Sequence, residues 1–337
     1  MRILVYNQHR ALGDGVFFTG YYKALKEKYK DIEIDVFCTP MHANALKNNP
    51  YISNIFYFLN YYKPWKTVRQ EKIIYNVFLQ KYFGDLRAAA KNKYDYILDI
   101  DSHYKKPNLE MLEYLKEKTS AKLIAKTNPK SAKLKNKNLF DEFTSGYPFE
   151  ALGINEIPVP ELYVSDEYNI KAADYFNKYK KDGSYNIIIN GEGSGLKSLP
   201  ADEIINITNA ILDKYNNINI FFMGYNGAGV IEKYTNIINA TDKNRVFLTY
   251  KTNVEDSFAL INNADLVISV DTAVIHIATA LNTKFIEICG YATKNYIPVI
   301  PIDAADKNLY RVSYKDKLTN KVIIDDLLKQ LKDILNL

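Results

Sequence analysis

Short β-type runs alternate with segments of helical periodicity along this chain, and they do so in two successive series. Strands separated by helices return to the same edge direction and build a parallel sheet covered on both faces. The first series is "RILVYN" (2–7), a helix over 16–29, "IEIDVFC" (32–38), a short helix over 42–52 stopped by Asn49-Pro50, and "NIFYFL" (54–59). It continues with a helix over 67–91, the strand "YDYILDID" (94–101), the helix "LEMLEYLKEKT" and the strand "AKLIAKT". In the 16–29 segment Phe17, Tyr21, Leu25 and Tyr29 share one stripe. The pattern breaks at "LGINEIPVPELYVSDEYN", where Pro158 and Pro160 stiffen a linker.

The second series alternates helices over 167–180, 201–215, 228–239, 254–263 and 272–281 with strands over 185–190, 218–224, 245–249, 266–270 and 284–289. It closes on "KVIIDDLLKQLKDILNL" (321–337), an amphipathic helix. The expected fold class is α/β, with two Rossmann-like doubly wound domains, 1–157 and 158–337, facing a cleft in the GT-B arrangement, and a C-terminal helix. A chain of 337 residues has the length for two domains.

Composition excludes several classes. Hydrophobic content of 47% and charged content of 25% fit a globular protein, and no run reaches membrane-span length. "MRILVYNQHR" has too short an apolar stretch for a secretory signal, and Cys38 and Cys289 suggest neither disulfide nor zinc framework. The expected location is therefore the cytoplasm. Charge divides unevenly: residues 1–157 carry 25 Lys and Arg against 17 Asp and Glu, a net of +8, and residues 158–337 carry 19 against 22, a net of −3. The basic half suits an anionic partner, although each lysine taken singly reads as solvated surface.

In doubly wound folds ligands sit at the carboxyl ends of the strands. The loop "NQHRALGDGVFF" places Asp14 between Gly13 and Gly15 just before a helix, where an N-cap accounts for it without chemistry. A dinucleotide fingerprint would need glycine at 18, and Phe18 stands there. The loop "NGEGSGLKSLPADE" sets Gly191, Gly193 and Gly195 with Lys197 ahead of a helix, a pattern suited to an anion, though it lacks the Walker Gly-Lys-Ser/Thr. In "LVISVDTAVIHIATAL" a strand ends at Asp271, Thr272 can cap the next helix, and His276 lies about one turn in, as a core residue or a ligand donor. "LDIDSH" holds Asp99 and Asp101 with His103 near; carboxylates at a strand end are the preferred reading, and no metal is expected.

Taken in order, "ALGDGVFFTGYYKALKEKYKDIEIDVFC", "YDYILDID", "NGEGSGLKSLPADEI" and "YKTNVEDSFALINNADLVISVDTAVIHIATALNTKFIEICG" resemble glycosyltransferase family 9, the lipopolysaccharide heptosyltransferases. The resemblance implies an inverting, metal-independent GT-B enzyme without a cofactor. Its donor would be a nucleotide-diphosphate sugar, such as ADP-heptose, and its acceptor an anionic glycolipid of the lipopolysaccharide core or a related surface glycan. It implies no nucleic-acid partner, and work at the cytoplasmic face of the inner membrane through peripheral contact. Asp14 matches the family's general base and Lys197 its donor-phosphate lysine. Asp271, Thr272, Ala273, Val274 and His276 match the donor signature, with Ala273 and Val274 in place of its usual Gly and Pro. Gly191, Glu192, Gly193, Ser194, Gly224 and Thr252 fall in the donor-side blocks. His9, Arg10, Gly13, Gly15, Lys63 and Lys105 are the candidate acceptor contacts. The family's fold also lets the last helix pack back on the first domain. The alternative is a non-catalytic nucleotide-sugar or glycan-binding protein of the same fold.

Overall fold

The computed structural model describes residues 1–8, 11–57, 85–100, 106–125, 147–156, 158–193, 198–223, 228–250, 252–289, 309–316, 321–322 and 324–337; of these, 106–109, 228, 289, 309–316 and 321 are described by backbone alone. The chain divides into two compact units, and the division falls between Pro160 and Glu161.

In the first unit β1 (Arg2–Asn7), β2 (Glu33–Cys38), β3 (Asn54–Tyr57), β4 (Tyr96–Asp99) and β5 (Lys122–Ala125) form one sheet in the order β3-β2-β1-β4-β5. Every neighbouring pair is parallel. The helices are α1 (Leu12–Phe17), α2 (Thr19–Lys28), α3 (Pro40–Ala43) and α4 (Lys106–Thr119), and residues 85–90 are also helical. Two expectations need correcting. The segment read as one helix over 16–29 is two helices that meet at Phe18, and it begins earlier, so Gly13, Asp14 and Gly15 are helical rather than a loop. The short helix read over 42–52 is α3, started by Pro40 and capped by Thr39, and residues 44–48 form turns well before Pro50.

Buried aromatics fix the α1–α2 corner. Phe18 packs edge-on to Phe17 at 5.2 Å and to Tyr147 at 5.2 Å, while Tyr21 stacks on Phe149 at 4.3 Å. Gly20 on α2 lies under the chain at 158–159: a Cβ there would stand 2.6 Å from the Val159 carbonyl oxygen and 2.7 Å from that of Pro158. Backbone cannot swing aside as a side chain can. Gly20→Ala is therefore expected to lower stability by about 1–3 kcal/mol, the usual cost of overpacking, read as a lower denaturant midpoint at unchanged slope.

The second unit holds β6 (Tyr185–Asn190), β7 (Ile218–Phe222), β8 (Val246–Leu248), β9 (Leu266–Val270), β10 (Phe285–Cys289), β11 (Leu309–Asp316) and β12 (Lys321–Val322), in the order β12-β11-β10-β9-β6-β7-β8. All pairs are parallel except β11–β12. Its helices are α5 (Asp166–Asn177), α6 (Ala201–Lys214), α7 (Ala228–Asn239), α8 (Val254–Asn263), α9 (Ala273–Ala280) and α10 (Ile324–Leu335). The tail departs from expectation. Lys321–Val322 is a strand, and α10 starts only at Ile324. Within the second unit Leu327, Leu328, Leu331, Ile334 and Leu335 of α10 join one core with Ile187, Ile211 and Ile286. Tyr185 and Lys284 donate to the Leu335 and Ile334 carbonyls, and the Val322 N–H donates to the Glu203 carboxylate.

Candidate functional site

Strand order locates the crevices. In each sheet the first strand has neighbours that run away from it in opposite directions, and ligands enter doubly wound sheets at that switch point. It lies between β1 and β4 in the first unit and between β6 and β9 in the second. In the second, Asn190 at the end of β6 is in register with Ser269 of β9. Asn190 is 2% exposed, and its amide nitrogen donates to the Glu192 carbonyl (3.1 Å), Ser269 Oγ (3.0 Å) and Thr272 Oγ1 (3.3 Å). One side chain thus ties the loops after both strands together.

The loop after β6 is held from within. Leu199 N–H donates to the Gly191 carbonyl (2.8 Å), and Gly193 and Ser198 exchange two bonds, N–H to Oγ (3.0 Å) and Oγ to the carbonyl (2.9 Å). Gly191 N–H donates to Tyr234 Oη of α7 (3.0 Å), whose ring stacks on Phe222 at 4.8 Å. Burial raises the Tyr234 pKa, so its oxygen stays a neutral acceptor. Gly191 also lies close to Leu199 and Ile204. The glycine amides expected to be free for an anion are thus committed inside the protein at Gly191 and Gly193. Glu192 pairs with Lys233 of α7 at 2.6 Å. Ser194 and Lys197 lie outside the described residues, as does Gly224 after β7.

After β9, Thr272 is the N-cap of α9 and its hydroxyl accepts from Val274 N–H at 3.3 Å. Asp271, Thr272, Ala273 and His276 are half-buried, while Val274 is buried. His276 lies on the first turn of α9. Buried Thr252 precedes α8, whose cap Asn253 forms a reciprocal box with Asp256. The structure therefore gathers the Asn190–Gly193 and Asp271–Val274 segments at one switch point.

In the first unit Asp14 sits in the first turn of α1, half-buried, with Ala11 as the N-cap. Asp14 is thus not the N-cap residue. Gly13 and Gly15 are buried and neither has positive φ, so they do not serve a tight turn. Gly15 serves close approach: a Cβ would stand 3.1 Å from the His42 carbonyl oxygen and 3.2 Å from its Cα. His42 is fully buried, lies 3.2 Å from Asn7 Nδ2 at the end of β1, and stacks on Phe18 at 6.5 Å. Asp99 is buried at the end of β4 beside β1. His9, Arg10, Lys63, Asp101, His103 and Lys105 lie outside the described residues. Among the described residues no cluster of three or more His, Cys, Asp or Glu could hold a metal ion.

Sequence reasoning missed Asn190, Ser198, Lys233, Tyr234 and His42. Asn190 had a readable signal, a polar residue ending the apolar run "III" (187–189) directly before a glycine loop. Tyr234, Lys233 and His42 act across long sequence separations, 43 positions for Gly191 and Tyr234, whereas Ser198 acts within its own loop.

Two doubly wound units in one chain make the GT-B fold, which solved family 9 structures share. The sequence profile of glycosyltransferase family 9 (heptosyltransferase) matches residues 120–323. The chain belongs to that family. It is 23% identical over 345 residues to lipopolysaccharide heptosyltransferase 1 of Campylobacter coli, covering 96% of each chain. Among solved structures it resembles a family 9 glycosyl transferase from Veillonella parvula (TM-score 0.73, 14% identity, 99% of this chain and 97% of that one). It also resembles the E. coli ADP-heptose lps heptosyltransferase II (TM-score 0.70, 14% identity, 100% and 99%) and E. coli heptosyltransferase WaaC with ADP (TM-score 0.67, 14% identity, 99% and 100%).

Proposed function

We propose that the chain is an inverting, metal-independent glycosyltransferase that moves heptose or a related sugar from an ADP-sugar to a lipopolysaccharide core acceptor. The observation that carries this reading is the second unit's switch point, where Asn190 joins the loop after β6 to the Thr272 cap of α9. A helix N-terminus there favours the anionic diphosphate. The relatives that bind ADP or carry ADP-heptose in their names support the choice of nucleotide.

In this mechanism an acceptor hydroxyl oxygen attacks the anomeric carbon in line. The bond from that carbon to the diphosphate oxygen breaks, and its electron pair leaves with ADP. Asp14 takes the hydroxyl proton as general base. The amino end of α9 and the Lys197 ammonium stabilise the departing charge. The configuration at the anomeric carbon inverts because there is one displacement. The net +8 of residues 1–157 suits an acceptor that carries phosphates and carboxylates, met at the cytoplasmic face of the inner membrane. Among the described residues no helix is long and apolar enough to cross a membrane.

The test combines binding and product analysis. ADP at about 100 times its dissociation constant should stabilise the chain by about 2.7 kcal/mol and raise the melting temperature, with UDP and GDP weaker at equal concentration. ADP-heptose with a core acceptor should give a product of inverted anomeric configuration by NMR, and turnover should persist in EDTA. Retained configuration would overturn the mechanism, loss of turnover in EDTA the metal independence, and preference for UDP or GDP the donor assignment.

A further inference from the structure

The proposed diphosphate must approach a loop that carries a full negative charge. Glu192 follows Gly191 directly, and its carbonyl shares the Asn190 amide with Thr272, the cap of α9. A carboxylate at that place repels an anion unless it is neutralised. Lys233 neutralises it: its ammonium lies 2.6 Å from Glu192 Oε1 and also donates to the Leu199 carbonyl at 2.6 Å. It therefore touches both limbs of the loop, which Leu199 N–H and Gly191 have already closed. The adjacent Tyr234 accepts the Gly191 N–H, so two consecutive residues of α7 hold one loop. The Glu192 and Lys233 side chains are 20% and 23% exposed, so solvent screens the pair only in part.

We propose that Lys233 is a positioning residue for the nucleotide sugar: by cancelling the charge of Glu192 it turns the loop after β6 from one that repels a diphosphate into one that admits it. This rests on the nucleotide-sugar reading above. A clamp acting only through the Leu199 carbonyl would make a different prediction, because removing Glu192 could not repair its loss.

The experiment uses the full chain and four proteins: wild type, Lys233→Met, Glu192→Gln and the double variant. The pair is part-buried, so melting curves and circular dichroism are recorded for all four, and the double variant, which leaves no charge stranded, tests the proposal even where Lys233→Met is destabilised. ADP and adenosine affinities are measured by calorimetry, and kcat and KM with the nucleotide sugar. Lys233→Met should weaken ADP and raise KM by about tenfold, with kcat changed less, because it leaves one uncompensated charge near the diphosphate. The loss should shrink at high salt. Glu192→Gln should bind ADP at least as well as wild type, and the double variant should recover to within about twofold of Glu192→Gln. Adenosine, which lacks phosphate charge, should bind all four alike. ADP affinity unchanged in Lys233→Met, or no recovery in the double variant, overturns the proposal while leaving the donor reading intact. A wild-type chain that binds no nucleoside diphosphate overturns both.

Discussion

Asp14→Asn should lower kcat for sugar transfer by about 10³-fold while leaving ADP affinity and the fold unchanged, since a positioned general base contributes typically 10²–10⁴. Ala11, not Asp14, occupies the N-cap of α1, so no cap is lost. As an acid in the first turn Asp14 gains a helix-dipole interaction of about 0.3–1 kcal/mol, and Asn keeps the shape and the hydrogen-bonding oxygen. The backbone around it is set by Gly13 and Gly15, which are buried, and by Gly15 pressed against His42. A half-buried carboxylate on a helix held this tightly keeps its place when its charge is removed. Transfer measured with donor and acceptor both saturating isolates the chemical step, and circular dichroism with an ADP titration checks fold and donor binding. Wild-type turnover in Asp14→Asn would remove Asp14 as the base.

The sheets were legible because their residues say one thing at two levels. Apolar runs such as "RILVY" and "LVISV" have strand length, and the segments between them carry a helical stripe, so the parallel alternation follows from local pattern alone. What escaped was decided by partners distant in sequence. Gly13 and Gly15 looked like turn residues, yet they are helical because α1 must approach α3, and nothing near position 15 announces His42. Gly191 after β6 looked like an open anion donor, but Tyr234, 43 positions on, accepts its N–H. Lys233 carries no local signal, since its partner Glu192 lies 41 positions away. The terminal segment misled for another reason. The apolar run "VII" leads straight into α10, so local composition extends the helix, whereas pairing with β11 makes Val322 a strand edge. Thr272 was the opposite case, since a cap is a local device and its residue type names it.

Arg2→Met should destabilise the first unit by about 2–3 kcal/mol, somewhat below the usual 3–5 for stranding a buried charge because Arg2 is 28% exposed. Asp35 on β2 is fully buried, and its carboxylate accepts from Arg2 Nη2 (2.8 Å), Arg2 Nε (3.2 Å), Tyr94 Oη (2.8 Å) and Asn54 Nδ2 (2.8 Å). These partners come from β1, β3 and the entry to β4, so one carboxylate ties neighbouring strands of the sheet whose first strand leads into α1 and Asp14. The arginine also covers the Tyr94 ring at 5.5 Å, and methionine retains part of that apolar contact. What Arg2→Met removes is chiefly the positive charge, leaving the carboxylate with two neutral donors. Removing the negative charge as well should therefore recover stability: Arg2→Met/Asp35→Asn should be more stable than Arg2→Met alone, a coupling a double-mutant cycle reads directly. Hydrogen exchange should place the loss in β1–β4, with the amides of β6, β7 and β9 protected as before. A double variant no better than Arg2→Met would mean that packing, not charge, is what Arg2 supplies.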